Sequence, residues 1–358
     1  MKLAVIFTPF PPPFGGIANW SNLVRKTLDS AGHSVTFVDT AIPGRDRFRE
    51  SGVITAALAY LRTIVIIIAS FPLLRGHSVV HCCTSWGRGA LKDLLILLLT
   101  KLARRPVVFH YHFGELPRIL AGSGLSRTLL TFIINNSAGA VVLDSTSRKA
   151  ILEALPSARV FMIPNGVTLP KETQVPQKEK IITFAGWVKR EKGIEDLLQA
   201  WQEANLKDWQ LRVAGAVDPA YRNQLEAKFN MYGVAILGEL PQPELFKLLS
   251  VSAVLVLPSY SEGFPFVVIE ALARGCFVVS TDVGALPDML APGLGVQFKP
   301  GDISSLVNYL RDIASNPDYA LLGAAGPSHV AERYSIESVT EGYIAAWNSA
   351  KSASMPFH

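Results

Sequence analysis

Residues 253–290 read AVLVLPSYSEGFPFVVIEALARGCFVVSTDVGALPDML. Ala253–Leu257 is an apolar run closed by Pro258 and Ser259, which predicts a buried strand. A polar loop follows as far as Gly263. Pro265 suits the first turn of a helix, and Gly275 suits its end. Cys276–Ser280 is a second apolar run and a second strand. Strand, loop, helix and strand in that order make a βαβ unit, so the loop opens at the carboxyl edge of a parallel sheet, where such sheets bind ligands. Two carboxylates border it: Glu262 in the loop and Glu270 on the helix behind, with seven residues between them.

Outward from this stretch, the chain is long enough for two domains of ordinary size, with 358 residues of which 49% are apolar. Six short strands are expected on each side of a Pro- and Lys-bearing segment. The first set is Lys2–Phe7, His33–Val38, Ser78–Cys82, Pro106–Tyr111, Gly139–Asp144 and Arg159–Ile163. The second set is Ile181–Ala185, Trp209–Gly215, Val234–Gly238, Ala253–Leu257, Cys276–Ser280 and Leu294–Phe298. Strands alternating with helices predict an α/β fold with two doubly wound sheets. The domains are placed at 1–168 and 181–334, with a linker at 169–180 marked by a shift in composition. Asp302 is a natural N-cap for the helix that follows it. Ser352–His358 is expected to be a loose tail.

The net charge of +5 is scattered over the chain. Zinc-ligand spacing and aromatic–basic interleaving are both missing, so a nucleic-acid partner is not expected. An anionic membrane surface or a diphosphate ligand explains the sign equally well. Cys82, Cys83 and Cys276 lie in apolar runs and read as reduced, buried thiols of a cytosolic protein. No signal-peptide pattern precedes the first strand. Val53–Leu74 is apolar and long enough to span a bilayer, yet Arg62 lies inside it, Pro72 near its end, and strands of one sheet on either side. A helix that is buried, or that lies on a membrane surface, is the expectation. Arg88–Leu102 is Leu-rich and ends in Lys101, Arg104 and Arg105, which fits a core helix or a face resting on anionic lipid. Residue by residue, the core is the expected place for Arg88–Leu102.

Three further places could carry chemistry. Thr8–Gly16 is a Pro-rich loop that ends in Gly15–Gly16 before a helix, Ile17–Ala31. His110 and His112 lie two apart at the carboxyl end of one strand. Gly186–Gly193, GWVKREKG, follows the first strand of the second domain and is basic.

The segment from Glu262–Gly263–Phe264 to Glu270–Ala271–Leu272 resembles the Glu-x7-Glu signature of the retaining glycosyltransferases of family 4. Leu257–Pro258–Ser259 before it and Gly275, Thr281, Asp282 and Gly284 after it fit the same template. The resemblance covers nearly the whole chain and is specific in the second half. It implies the GT-B fold, two Rossmann-like domains facing each other across a cleft, with a C-terminal helix at about 335–351 returning to the first domain. It implies that Gly15 and Gly16 let backbone approach a donor diphosphate at a helix amino end. His112, more than His110, corresponds to the histidine that touches the transferred sugar, although Phe113 stands between it and Gly114. Gly186 and Lys192 match the diphosphate clamp. Trp187 stands where that clamp carries Arg, so either Lys189 or Arg190 supplies the second cation or the clamp has one charge fewer. Glu262 is assigned to a hydroxyl of the donor sugar and Glu270 to the ribose, with Gly263, Phe264 and Pro265 lining the donor site.

The sequence contains no Asp-x-Asp pair, so neither a metal ion nor another cofactor is expected. The leaving diphosphate would be neutralised by Lys192 and by backbone amides. The expected activity is transfer of a sugar from a UDP- or GDP-sugar to a lipid-linked saccharide, by a protein held peripherally on the cytoplasmic face of the cell membrane. Two other readings are a nucleotide-sugar epimerase on a similar fold and a non-catalytic partner subunit that keeps the fold.

Overall fold

The structure, a computed structural model, describes residues 2–11, 15–41, 53–170 and 177–353. The charged loop at 44–50, residues 12–14 of the Pro-rich loop, 171–176 of the expected linker and the tail from 354 lie outside them.

The chain divides into two compact units, Met1–Gly166 with Ile336–His358, and Val167–Ser335. The first holds β1 (Lys2–Thr8), β2 (Val35–Asp39), β3 (His77–Thr84), β4 (Val107–Tyr111), β5 (Gly139–Val142) and β6 (Val160–Met162). They form one parallel sheet in the order β2-β1-β3-β4-β5-β6. The second unit holds β7 (Glu179–Ala185), β8 (Gln210–Ala214), β9 (Val234–Gly238), β10 (Ser252–Leu257), β11 (Phe277–Thr281) and β12 (Gly295–Phe298). Its sheet, also parallel, runs β12-β11-β10-β7-β8-β9. Every residue of β3, β4, β10 and β11 is buried. Helices cover both faces of such sheets, which is why Ala253–Leu257 of β10 reads as an unbroken apolar run without alternation.

The first unit's early helices are α1 (Gly16–Ser30), α2 (Val53–Ala69), α3 (Phe71–Gly76) and α4 (Ala90–Leu102). The long apolar segment is thus two helices, parted at Ser70, with Pro72 in the first turn of the second. Together α2 and α3 link β2 to β3, which lie on either side of β1 and are both parallel to it. The core takes only part of each: Ile67 of α2 and Ile96 and Leu97 of α4 are buried in it, whereas Leu58, Leu61, Val65 and Ile68 on α2, and Leu91, Leu98 and Leu102 on α4, are exposed. Both helices are apolar on every side, so periodicity gives no inward face.

Local signals set the boundaries in the second unit. Asp302 caps the helix Ile303–Ser315 by accepting from the Ser305 amide at 3.0 Å. Ile194, Leu197, Leu198 and Trp201 fall on the buried face of the helix Ile194–Ala204, the spacing of an amphipathic helix. The helix Phe266–Leu272 ends when the amides of Gly275 and Cys276 bond back to the carbonyls of Leu272 and Ala271. Gly275, at φ +75°, adopts the left-handed turn that this ending needs. Pro265 stands one residue before that helix, as its N-cap, rather than in its first turn. The end of the expected linker is also structured: Lys178 is buried and donates to the carbonyls of Leu249, Ser250 and Arg274. The three cysteines are free and buried.

Candidate active site

Ligands of open parallel sheets bind beyond the carboxyl ends of the strands, where the strand order reverses. In the second unit that point lies between β7 and β10. The loop after β7 ends in a 3-10 turn, Arg190–Lys192, and Gly193. Gly193 has φ +68°, and a Cβ on it would lie 2.0 Å from the carbonyl oxygen of Pro258. Only glycine lets this loop press against the loop after β10. Two further bonds tie the loops: the Tyr260 amide donates to the Glu191 carbonyl at 3.0 Å, and the Tyr260 hydroxyl donates to Asp196 at 2.7 Å.

Across this contact, Lys192 Nζ donates to Glu262 Oε1 at 2.7 Å, and Ser259 Oγ donates to the same oxygen at 2.7 Å. The side chains of Lys192 and Glu262 are 23% and 9% exposed, so the pair interacts with little screening by water. The loop carrying Glu262 is also fastened on the β11 side. Thr281 Oγ1 donates to the Ser259 carbonyl at 2.6 Å, and the Ala285 amide donates to the Gly263 carbonyl at 2.9 Å. Gly284, at φ +57°, leaves no room for a Cβ, which would meet the Glu262 carbonyl oxygen at 2.2 Å. Glu262 therefore sits on backbone held from both sides.

Glu270 lies on the helix behind the loop and is 7% exposed. Burial raises its pKa above the ordinary carboxylate value, opposed by the charge of Arg274 and a hydrogen bond from Gln242. Arg274 donates to the Glu270 carbonyl at 2.8 Å and stacks 3.5 Å over the Phe246 ring. Phe264 is buried, 6.0 Å from the Tyr334 ring. Gly186 donates its amide to the Ala214 carbonyl at 3.0 Å.

The two candidates for a second cation are engaged elsewhere. Arg190 bonds Glu195 at 2.8 Å on the outer surface, where Tyr221 and Lys228 also bond Glu195. Lys189 lies 5.3 Å over the ring of Trp187 and 3.9 Å from Glu191. Lys192 is thus the cation brought to Glu262.

The first unit reverses its strand order between β1 and β3. Gly15 caps α1 with an extended backbone, φ −172°, and Gly16 begins the helix. Both are exposed, and nothing lies within 4 Å of a Cβ built on either. Among the described residues, packing does not demand these glycines.

His112 follows β4, and its amide donates to the Thr84 carbonyl at 3.0 Å. His110 is wholly buried and His112 partly exposed, with ring centroids 3.7 Å apart. Around them stand residues the sequence gives no local reason to group. Trp20 of α1 stacks on His81 at 5.5 Å and meets His112 edge-on at 5.5 Å. Its indole donates to the Tyr343 hydroxyl at 2.9 Å, and Trp347 donates to His81 Nδ1 at 3.0 Å. Trp20 and Tyr343 are more than 300 residues apart, so no spacing rule links them. Burial lowers His81 and His112 to about 3 and depresses His110 as well, so these imidazoles are neutral at neutral pH. His81, Cys83 and His110 bring possible ligand atoms within 4.8 Å of one another, but the set does not suit a metal. Trp347 occupies the lone pair of His81 Nδ1, which puts the proton on Nε2. Burial pushes the Cys83 thiol up to about 12, and it stays protonated.

Two parallel sheets, each open at its strand-order reversal, with a lysine–glutamate pair at one of them, define a GT-B glycosyltransferase framework. A model described as Glycosyltransferase Family 4 matches residues 14–170, and one described as Glycosyl transferases group 1 matches 168–324. The chain belongs to this family. Sucrose-phosphate synthase from Thermosynechococcus elongatus superposes with TM-score 0.78 at 21% identity, covering 99% of this chain and 100% of that one. Anabaena HepE, solved with UDP, superposes with TM-score 0.71 at 15% identity, covering 98% and 100%. A D-inositol 3-phosphate glycosyltransferase of Thermobifida fusca is 31% identical over 191 residues, 49% of this chain and 44% of that protein. The match spans a third to three fifths of the length of the first curated relatives.

Proposed function

We propose that this chain transfers a sugar from a UDP- or GDP-sugar to a lipid-linked saccharide, with retention of configuration and without a metal ion, on the cytoplasmic face of the membrane. The observation that carries the reading is the convergence of Lys192 and Ser259 on Glu262 Oε1 at the reversal of the second sheet. Both bonds fall on one oxygen, so Oε2 is the atom that accepts a hydroxyl of the donor sugar. The lysine ammonium has three protons and uses one on Glu262; the others serve the diphosphate. Glu270 accepts the ribose hydroxyls, and His112, neutral, lends a hydrogen bond to the transferred sugar. The bond from the anomeric carbon to the phosphate oxygen breaks as the acceptor oxygen bonds that carbon from the same face. The acceptor proton passes to the departing phosphate. Lys192 stabilises charge that grows only as the bond breaks, so its effect falls on the transition state. The UDP found in HepE, on the same fold, supports a nucleotide donor, and the apolar helices of the first unit support a lipid-borne acceptor.

The test is a thermal-shift panel of nucleotide sugars with and without EDTA. A donor at a hundred times its Kd stabilises the chain by about 2.7 kcal/mol. EDTA leaves the shift and the transfer in place, Glu270→Ala removes the shift, and Glu153→Ala on the surface of the first unit keeps it. A panel in which no nucleotide sugar shifts the melt overturns the reading.

A further inference from the structure

Two helices of the first unit carry apolar residues outward as well as inward. On α2, Thr63 and Ile67 are buried, whereas Leu58, Leu61, Val65 and Ile68 are 51–62% exposed. The exposed four are spaced three, four and three residues apart, a continuous stripe on one helix face. On α4, Asp93, Ile96, Leu97 and Thr100 are buried and Leu91, Leu98 and Leu102 are 55–69% exposed. A helix serving a water-facing core puts its apolar stripe inward, so these stripes are built for another contact. Ala57–Gly76 is apolar and long enough to cross a membrane, and 22% of its most apolar window is buried. It nevertheless lies within a sheet crossover whose flanking strands, β2 and β3, are parallel strands of one sheet on either side of β1.

Charge decides what covers the stripes. Residues 53–105 contain seven Lys and Arg and one acid, Asp93, which is buried. Arg62, Arg75, Lys101 and Arg104 are exposed. A second copy docked here about a two-fold axis would set cation against cation. At the ends of the helices, Arg105 donates to the Arg75 carbonyl at 2.9 Å, joining α3 to the end of α4. Lys101, Arg104, Arg105 and Arg159 line an open groove of about 500 Å3 with Asn136 and Ser157. Exposed leucines edged by cations suit a surface that is apolar within and negative at its boundary.

We infer that α2 and α4 dock this protein on an anionic lipid bilayer, the leucine stripes entering the interface and the basic groove taking a lipid phosphate. The inference deepens the membrane-side reading above and rests on it for the identity of the acceptor, but its measurement is independent. The full chain is sedimented with vesicles of phosphatidylcholine alone or mixed with phosphatidylglycerol. It pellets with the anionic vesicles, and less so as salt rises. Lys101→Gln and Arg104→Gln each weaken the partition about five-fold. The combined Leu61→Glu, Ile68→Glu and Leu98→Glu variant stays in the supernatant while its circular dichroism and thermal melt match the wild type. Wild-type protein that fails to pellet with anionic vesicles, or a triple variant that pellets as well as wild type, overturns the inference. So does a wild-type dimer that the triple variant converts to monomer, since a second copy would then cover the face. Transfer to a detergent-dispersed acceptor is measured in parallel. Transfer without vesicle binding removes the docking face and leaves the proposed function standing; vesicle binding without transfer does the reverse.

Discussion

The strand-end sites of the two units are built by different means. In the second unit, charge is held by short segments, 186–193, 258–263 and 281–285, each following its own strand. Every tie among them is a hydrogen bond or a glycine contact close to a strand end. In the first unit, the surroundings of His112 are aromatic and come from α1, β3, β4 and the last helix. A local motif can place a lysine against a glutamate, because strand ends in a parallel sheet are already neighbours. A box of rings exists only once distant helices have packed, so it depends on the whole unit.

Four expected outcomes test this contrast. Trp20→Ala empties the middle of the box and removes the indole donor from the Tyr343 hydroxyl. The loss is about 4 kcal/mol of stability, read by urea unfolding; a loss under about 1 kcal/mol would mean the box does not hold the unit together. Lys192→Ala, by contrast, leaves the melt near wild type and lowers kcat about 100- to 1,000-fold. A fall in KM-dependent binding with kcat intact would show that Lys192 acts on the ground state alone.

Acid comes next. His81 and His112 have folded pKa values near 3 against an ordinary 6.5, so below 6.5 the unfolded chain takes up protons that the folded chain refuses. Stability is complete above pH 6.5 and falls between 6.5 and about 3, by roughly 1.4 kcal/mol per pH unit for each histidine. His81→Gln flattens part of that slope in denaturation series at stepped pH; an unchanged slope would mean His81 does not contribute. The smallest effect belongs to Arg190→Ala. Its partner Glu195 lies on the outer surface, and donor affinity stays within about three-fold of wild type. A ten-fold loss in donor titrations would mean that Arg190 leaves Glu195 for the diphosphate, and the clamp would then have two cations.

Much of the second unit was legible because its signals are local. The run Ala253–Leu257, the Pro258–Ser259 break, Gly275 and the second run each act within a few residues of themselves, and together they force a βαβ unit. The pairing of Lys192 with Glu262 was not legible, since 70 residues separate them and only the adjacency of β7 and β10 brings them together. The second cation was left open between Lys189 and Arg190 for the same reason: what decides it is Glu195, Tyr221 and Trp187. The outward face of α4 was not foreseen, and α2 was left open between core and membrane surface, because a helix with apolar residues on every side offers no periodicity from which to choose an inward face.

By itself, the amino-acid order determined the alternation of strands and helices, the two parallel sheets and the position of Glu262 and Glu270 around one loop. Those follow from backbone preference and from burial repeated at short range. Tertiary structure alone decided that Lys192 and Ser259 share one oxygen of Glu262, that three histidines lie inside an aromatic box, and that Leu58 and Leu61 on α2 and Leu91, Leu98 and Leu102 on α4 face outward. Each of these depends on which surfaces meet after the strands have ordered, and short-range preference carries no record of that.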